Sequence, residues 1–446
     1  MRLYGAKGLS AFLVALLVFV ASPVLAAVKV QSVTSGKGVT AWLVEDYSVP
    51  IVTIRFSFQG GTTQDPAGKE GMSNLITGLL DEGAGDMDSD AFQEAMEDAG
   101  AEMSFSEGLD SIEGSFRTLA ETRDQSVALL SLAVNKPRFD PAPVERIRDQ
   151  IISGIEAEAR DPSTIAKFAW NENVYSGHAY ARRSEGTPET LLTITPEDLK
   201  AFHKAQFARV NLHVGVVGAI DAESLKKVLD QVFGDLPEKP QQAPVGQAAP
   251  KFGQDLAVNY DLPQTTIRLA FPGLKRSDPE FYAAYLMNHI LGGGTFSSRL
   301  YTEVREKRGL AYGINSWLST RDYSSELQIS TATRSDRAAE TLKVIEDEVA
   351  KMAAEGPTPE ELEEAKKYII NSYAVANFDS SSSIAETLVA VQDQNLGITY
   401  FEDRERLIGQ VTIEEVKASA AKLLSAKPVI MLVGPQASAE PAKKDG

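Results

Sequence analysis

Short apolar runs closed by glycines alternate along this chain with longer stretches that place apolar residues on one helical face. Ile51–Phe58 is rich in β-branched and aromatic residues and closes on Gly60-Gly61, which predicts a strand. Ala101–Ser106 and Ser111–Leu119 predict a hairpin around Glu107-Gly-Leu-Asp110. From Ser89 onward Phe92, Ala95, Met96 and Ala99 share a face, so a helix capped by Asp88 or Ser89 is expected. Thr195-Pro-Glu-Asp198 and Thr412-Ile-Glu-Glu415 read as helix starts: the Thr hydroxyl accepts the N–H three residues on, and the acid complements the helix dipole. Apolar strands follow at Asn211–Gly218 and Pro428–Val433. Strands in hairpins beside long helices predict an α+β fold with largely antiparallel sheets flanked by helices, rather than a doubly wound sheet.

The pattern occurs twice. Thr53-Ile-Arg-Phe-Ser-Phe58 matches Thr266-Ile-Arg-Leu-Ala-Phe271. Ile194-Thr-Pro-Glu-Asp-Leu-Lys200 matches Val411-Thr-Ile-Glu-Glu-Val-Lys417, and Pro143-Val-Glu-Arg146 echoes Pro359-Glu-Glu-Leu362. All three pairs are offset by 213–217 residues. Two homologous halves of ordinary domain size are therefore expected, at residues 27–236 and 253–437. The linker 237–252 carries Pro237, Pro240, Pro244 and Pro250 among Gln and Ala, a composition that resists packing, and 438–446 reads as a flexible tail.

Residues 1–26 read as a secretory signal peptide, with Arg2 and Lys7 ahead of the apolar run Leu9–Ala21 and small residues at Val24-Leu25-Ala26. That run is too short to span a hydrocarbon layer of about 30 Å. An exported, soluble chain is expected, with no membrane insertion once the signal is removed. The form of the leader suggests a bacterial periplasm and leaves an extracellular destination open. The whole chain has 62 acidic against 44 basic residues, and loss of Arg2 and Lys7 takes its charge from −18 to −20. Such a balance argues against a nucleic-acid partner. With no cysteine, disulfides, thiolate metal sites and a cysteine nucleophile are all excluded.

Asn288–Tyr312 is the most informative stretch: a helix end, the glycines Gly292–Gly294, a second helix starting near Ser297, then Arg305-Glu-Lys-Arg-Gly-Leu-Ala-Tyr312 running into a strand. A glycine-rich turn opening a helix suits phosphate. Here no strand leads in and no Gly-Lys-Ser/Thr follows, so a nucleotide site fails its context. The run resembles the C-terminal half of the M16 (insulinase/pitrilysin-type) zinc peptidases, which carry the pattern SSRLxxExREKRGLAY. The resemblance covers nearly all of residues 30–437 and implies two M16-type halves. It also implies that Arg305 and Tyr312 help hold a peptide substrate, as donors to a carbonyl oxygen. Spacing alone would place Arg305 on a solvated helix face. Gly292, Gly293 and Gly294 either let a bound peptide approach or form a tight helix-to-helix turn.

The resemblance also locates where the metal chemistry should be. M16 catalytic halves carry His-x-x-Glu-His on a helix, with a further Glu as third ligand. The corresponding helix here is Gly71–Gly83, and the motif positions are Asn74, Thr77 and Gly78; the third ligand would fall at Gly154. No zinc is expected on this chain. None of His178, His203, His213 and His289 has a second histidine within a helical turn, and His203 and His213 read as structural. No Gly-x-Ser-x-Gly elbow occurs. Asp86-Met-Asp-Ser-Asp90 imitates a calcium loop, but Ala91 stands where the sharp turn needs glycine.

The resemblance therefore implies the non-metal, substrate-binding subunit of an exported heterodimeric M16 peptidase. Such a subunit is inactive alone, binds no cofactor of its own, and works with a partner subunit that bears the zinc motif. A catalytically silent binding or scaffold protein with the same fold is the alternative. A self-sufficient metallopeptidase is disfavoured by positions 74, 77, 78 and 154.

Overall fold

The computed structural model describes residues 29–294 and 296–435; the expected leader and tail lie outside the described residues. Strands β1 (Gln31–Thr34), β2 (Thr40–Glu45), β3 (Ile51–Gln59), β4 (Glu102–Glu107), β5 (Ser111–Leu119) and β6 (Leu212–Gly218) form one sheet, in the order β1-β2-β6-β3-β5-β4. Strands β7 (Asp255–Asn259), β8 (Gln264–Pro272), β9 (Ala311–Thr320), β10 (Ser325–Arg334) and β11 (Val429–Gly434) form a second, in the order β7-β11-β8-β10-β9. Among the described residues only β2–β6 and β7–β11 pair in parallel. Leaving β1 aside, the two sheets repeat one strand order and one set of directions. Even the register repeats: Thr53 lies opposite Val217, and Thr266 opposite Val433.

Each sheet turns one face to helices of its own half. Ile54, Phe56, Phe58 and Phe116 are buried against the helices Met72–Thr77, Arg123–Asn135, Pro196–Gln206 and Ala222–Val232. Ile267, Leu269, Phe271 and Ile329 are buried against Phe281–Asn288, Ala338–Glu355 and Ile413–Leu424. Close packing sets the composition here: a Cβ on Gly114 would stand 2.0 Å from the Phe56 ring, so that site has room only for hydrogen.

The opposite faces are covered by exchange. The helix Pro162–Val174 of the first half lies on β7 and β11, burying Ala166, Trp170 and Val174 with Val429, Met431 and Val433. The helix Ser381–Asp393 of the second half lies on β3 and β6, burying Ala385, Leu388 and Val391 with Trp42, Val44 and Val217. Each half thus completes the other's sheet, which ties the two together through apolar burial.

Local expectations fare well where they rest on capping. Asp88 caps Ser89–Ala99 by accepting from Ala91 N at 3.0 Å, so the acidic run is a helix start. Thr195 and Thr412 each make a reciprocal capping box, with Asp198 and Glu415. The stretch between the halves has no regular structure, yet it packs. Gln64 exchanges two hydrogen bonds with the backbone of Ala243, Gln242 bonds Gln206 at 2.9 Å, and Ala248 and Phe252 join the inter-half cluster. Glutamine amides replace the ladder bonds that the prolines there cannot make. Among the described residues no helix is long and apolar enough to cross a membrane.

Candidate functional site

The helix that carries the degenerate motif is shorter than the Gly71–Gly83 stretch suggests: it spans Met72–Thr77 and stops at Gly78, which caps it. Glycine inside a helix costs roughly 1 kcal/mol relative to alanine, and the chain leaves the helix at this point. Asp65 anchors the start. Its buried carboxylate accepts from Gly71 N, Ser73 N and the Ser73 hydroxyl at 2.9, 3.0 and 2.6 Å. Burial pushes the Asp65 carboxyl up to about 7 against the pull of those donors.

Asn74 and Thr77 both face Glu107 at the end of β4. Asn74 Nδ2 donates to Glu107 Oε1 at 2.8 Å and Thr77 Oγ1 to Oε2 at 3.2 Å. Thr77 Oγ1 also lies 3.1 Å from Ser73 O and 2.9 Å from Asn74 O. A Cβ on Gly78 would sit 3.0 Å from the Ile147 side chain, so that position is packed. Gly154 differs: a Cβ there would meet nothing within 4 Å. It opens onto a cavity of about 500 Å³ between the helices Pro141–Glu158 and Pro162–Val174, with Asn74, Ile151, Ile155 and Phe168 in its wall. In the second half, Tyr373 in the helix Pro359–Asn377 meets Phe378, which caps that helix, edge to face at 5.5 Å, and Arg404 lies over Tyr373.

This donor set does not fit zinc. An amide, a hydroxyl and two glycines stand at the four positions, and the nearby carboxylate is bonded by the first two. Among the described residues no group of three or more His, Cys, Asp or Glu is placed to hold a metal ion. The histidines are engaged elsewhere. His203 Nε2 donates to Val134 O at 2.8 Å, and burial holds the ring's pKa down. His213 pairs with Asp393 at 2.6 Å, His178 Nε2 donates to Gly246 O at 2.9 Å, and His289 packs on Tyr368.

Arg305 and Tyr312 do come together. A helical segment runs from Arg299 to Glu306, its second part a wide turn in which Lys307 N reaches Thr302 O at 2.9 Å. Such turns are frequent at functional sites. The Arg305 guanidinium lies 4.9 Å from the Tyr301 ring centre and 4.7 Å from that of Tyr312, at the start of β9. Tyr312 is 87% exposed, whereas Tyr301 is buried. Lys307 and Arg308 both pair with Glu303, whose carboxyl they hold below its usual range. Arg305 pairs with no carboxylate among the described residues. Arg299 is spent inside the fold, bidentate to Glu361 at 2.7 Å for each bond.

Gly292 and Gly294 are buried, and Gly293 is exposed. A Cβ on Gly292 would stand 2.7 Å from Ser316 Oγ, one on Gly293 2.5 Å from the Asn288 amide, and one on Gly294 2.7 Å from His289 O. The turn is pressed onto β9, which supplies Tyr312, and a side chain at any of the three positions would crowd it.

Residues 41–187 match the sequence profile described as insulinase (peptidase family M16), and residues 193–369 match that of the peptidase M16 inactive domain. A crystal structure from Pseudomonas fluorescens, described as a peptidase M16 inactive domain, is 32% identical; the likeness covers 93% of this chain and 99% of that one, with a TM-score of 0.85. The chain belongs to the M16 peptidase family. M16 relatives include the non-peptidase homolog YmxG of Helicobacter pylori, 23% identical over 77% of this chain and 79% of that protein. An uncharacterized zinc protease of Rickettsia felis is 24% identical over 87% of this chain and 94% of its own length. Within the M16 frame, the fold brings Arg305 beside Tyr312, and it sets against the expected positions two residues that the sequence did not single out, Glu107 and Tyr301. Glu107 looked like part of a hairpin turn. Tyr301 sits four residues before Arg305 on one helical face, and that spacing could have found it.

Proposed function

We propose that this chain is the non-metal, substrate-binding subunit of an exported heterodimeric M16 zinc peptidase. A partner bearing His-x-x-Glu-His supplies the zinc, and this chain presents Arg305 and Tyr312 across a peptide-binding chamber. The observation that carries the reading is the state of Arg305. In a run of three cations, two pair with Glu303, while Arg305 lies 4.9 Å from the buried Tyr301 ring and 4.7 Å from the exposed Tyr312 ring. A guanidinium with no carboxylate partner among the described residues, beside an exposed phenol, suits a carbonyl oxygen that gains negative charge during hydrolysis. The cavity of about 500 Å³ beside Gly154 adds support, since it leaves room for a peptide next to Asn74. We take the halves as copies of one unit joined through 237–252, and their repeated strand order supports this.

The test is a pull-down of the tagged mature protein from its native host, followed by assay of the recovered complex. A co-purifying His-x-x-Glu-His chain, with turnover lost in the Arg305→Ala/Tyr312→Ala variant while assembly persists, is the expected result. Turnover by this chain purified away from any metallopeptidase would sink the proposal.

A second reading, a scaffold that contributes nothing to proteolysis, draws on the hydrogen bonds that tie Asn74 and Thr77 to Glu107. The name of the Helicobacter pylori relative points the same way. Unchanged turnover of the assembled double variant favours it.

A further inference from the structure

The pairing pattern around Arg305 raises a question of geometry. An arginine at the surface with no carboxylate partner samples many rotamers, and a group that samples many rotamers binds weakly because ordering it costs entropy. Arg305 is constrained by something other than charge. Tyr301 lies one helical turn before it, is buried, and offers its ring face at 4.9 Å. Phe296, 69% exposed, meets the Tyr301 ring edge-on at 5.3 Å. The Tyr312 ring also lies 4.7 Å from the guanidinium, but at 87% exposure it has little packing of its own to fix it. Of the two rings, the fixed one is therefore Tyr301.

We propose that Tyr301 is a positioning residue: its buried ring fixes the Arg305 guanidinium so that the N–H edges, rather than the faces, are presented to a peptide carbonyl or carboxylate. This rests on the substrate role of Arg305. A planar cation clamped by one rigid ring is pre-organised, so less entropy is lost when its fork engages an oxygen. Tyr301 itself touches no substrate.

The experiment uses the full mature chain and a fluorescein-labelled, unstructured peptide that is uncharged apart from its termini, with binding followed by fluorescence anisotropy. Arg305→Ala is expected to weaken binding, and Tyr301→Leu to weaken it roughly three- to tenfold, the scale of one lost cation–ring contact. Tyr301→Leu added to Arg305→Ala is expected to cause no further loss, because the ring acts only through the guanidinium. If the leucine variant fails to fold, phenylalanine and its di- and trifluorinated analogues at position 301 keep the shape and weaken the ring's negative face in steps. Affinity should then fall in the same order. A flat series, or a further loss when Tyr301→Leu is added to Arg305→Ala, overturns the positioning role. If Arg305→Ala leaves binding unchanged, the parent reading fails instead, and the two failures are told apart by that one variant.

Discussion

The Asn74 amide and the Glu107 carboxylate are joined at 2.8 Å, so the position expected for the first metal ligand is bonded to the end of strand β4. Thr77 reaches the other carboxylate oxygen, and Gly78 backs onto Ile147 at a Cβ distance of 3.0 Å. Restoring one ligand therefore restores no site. Asn74→His is expected to leave the zinc content of dialysed protein near zero, as in the wild type. Even Asn74→His/Thr77→Glu/Gly78→His/Gly154→Glu must push Ile147 aside and leave Glu107 without its donors. Atomic emission on dialysed samples checks this, and stoichiometric zinc in the wild type would contradict the non-metal assignment.

Two glycines should respond to alanine with opposite signs. A Cβ on Gly215 would meet Ala385 O at 2.5 Å, where the exchanged helix Ser381–Asp393 crosses β6. Gly215→Ala is expected to cost about 1–3 kcal/mol, because neither the strand nor the helix backbone can yield. Gly154 lies in the helix Pro141–Glu158 with open space around it. Gly154→Ala should stabilise by about 0.5–1 kcal/mol through helix propensity. Urea unfolding of both variants tests the pair, and a neutral Gly215→Ala would mean the helix sits less tightly on the sheet than described.

At the junction of the halves the Tyr180 hydroxyl donates to Asp110 Oδ2 at 2.6 Å, and the same oxygen accepts from Asp322 N in the β9–β10 turn at 3.2 Å. Asp110 Oδ1 is buried with no partner, and burial holds this carboxyl above its ordinary range. Tyr180→Phe removes the shorter of these bonds and should cost about 1–3 kcal/mol. The loss should appear first as faster hydrogen exchange at Asp322–Ser324, since that turn crosses from the second half to the first. Uniform exchange across both halves would speak against a local brace.

What could be read from the sequence was what local chemistry decides. The strand Ile51–Phe58, the Thr195 and Thr412 caps and the Asp88 helix start depend on neighbours a few residues away, and the structure has all of them. The exchange of Pro162–Val174 and Ser381–Asp393 could not be read, because an apolar helix face does not say which sheet it will cover. The motif helix ends at Gly78 rather than continuing, since the local cost of glycine outweighs the apolar pattern beyond it. At the candidate site the nearness of Arg305 and Tyr312 was legible, seven residues apart across one turn, but the contact of Glu107 with Asn74 and Thr77 was not. Its partners Asn74 and Thr77 lie 33 and 30 residues earlier, and only the fold brings them together.

The Lys69–Asp198 pair should make stability depend on acid. Lys69 Nζ donates to Asp198 Oδ2 at 2.6 Å, and the Thr195 hydroxyl and backbone N–H donate to the same oxygen at 2.7 and 2.9 Å. Led by the Lys69 hydrogen bond, these donors draw the Asp198 carboxyl from 3.8 down to about 2. A depressed carboxyl binds its proton less tightly folded than unfolded, so its contribution is present above about pH 4 and is lost as pH falls toward about 2. Asp198→Asn keeps an acceptor for the cap and removes the charge. Its urea midpoint should lie below that of the wild type near pH 7, and the gap should shrink between about pH 4 and pH 2. Both side chains are partly open to solvent, at 29% and 30% exposure, so added salt at neutral pH should narrow the same gap. A gap that stays constant across both titrations would place the effect of Asp198 in capping geometry rather than in charge.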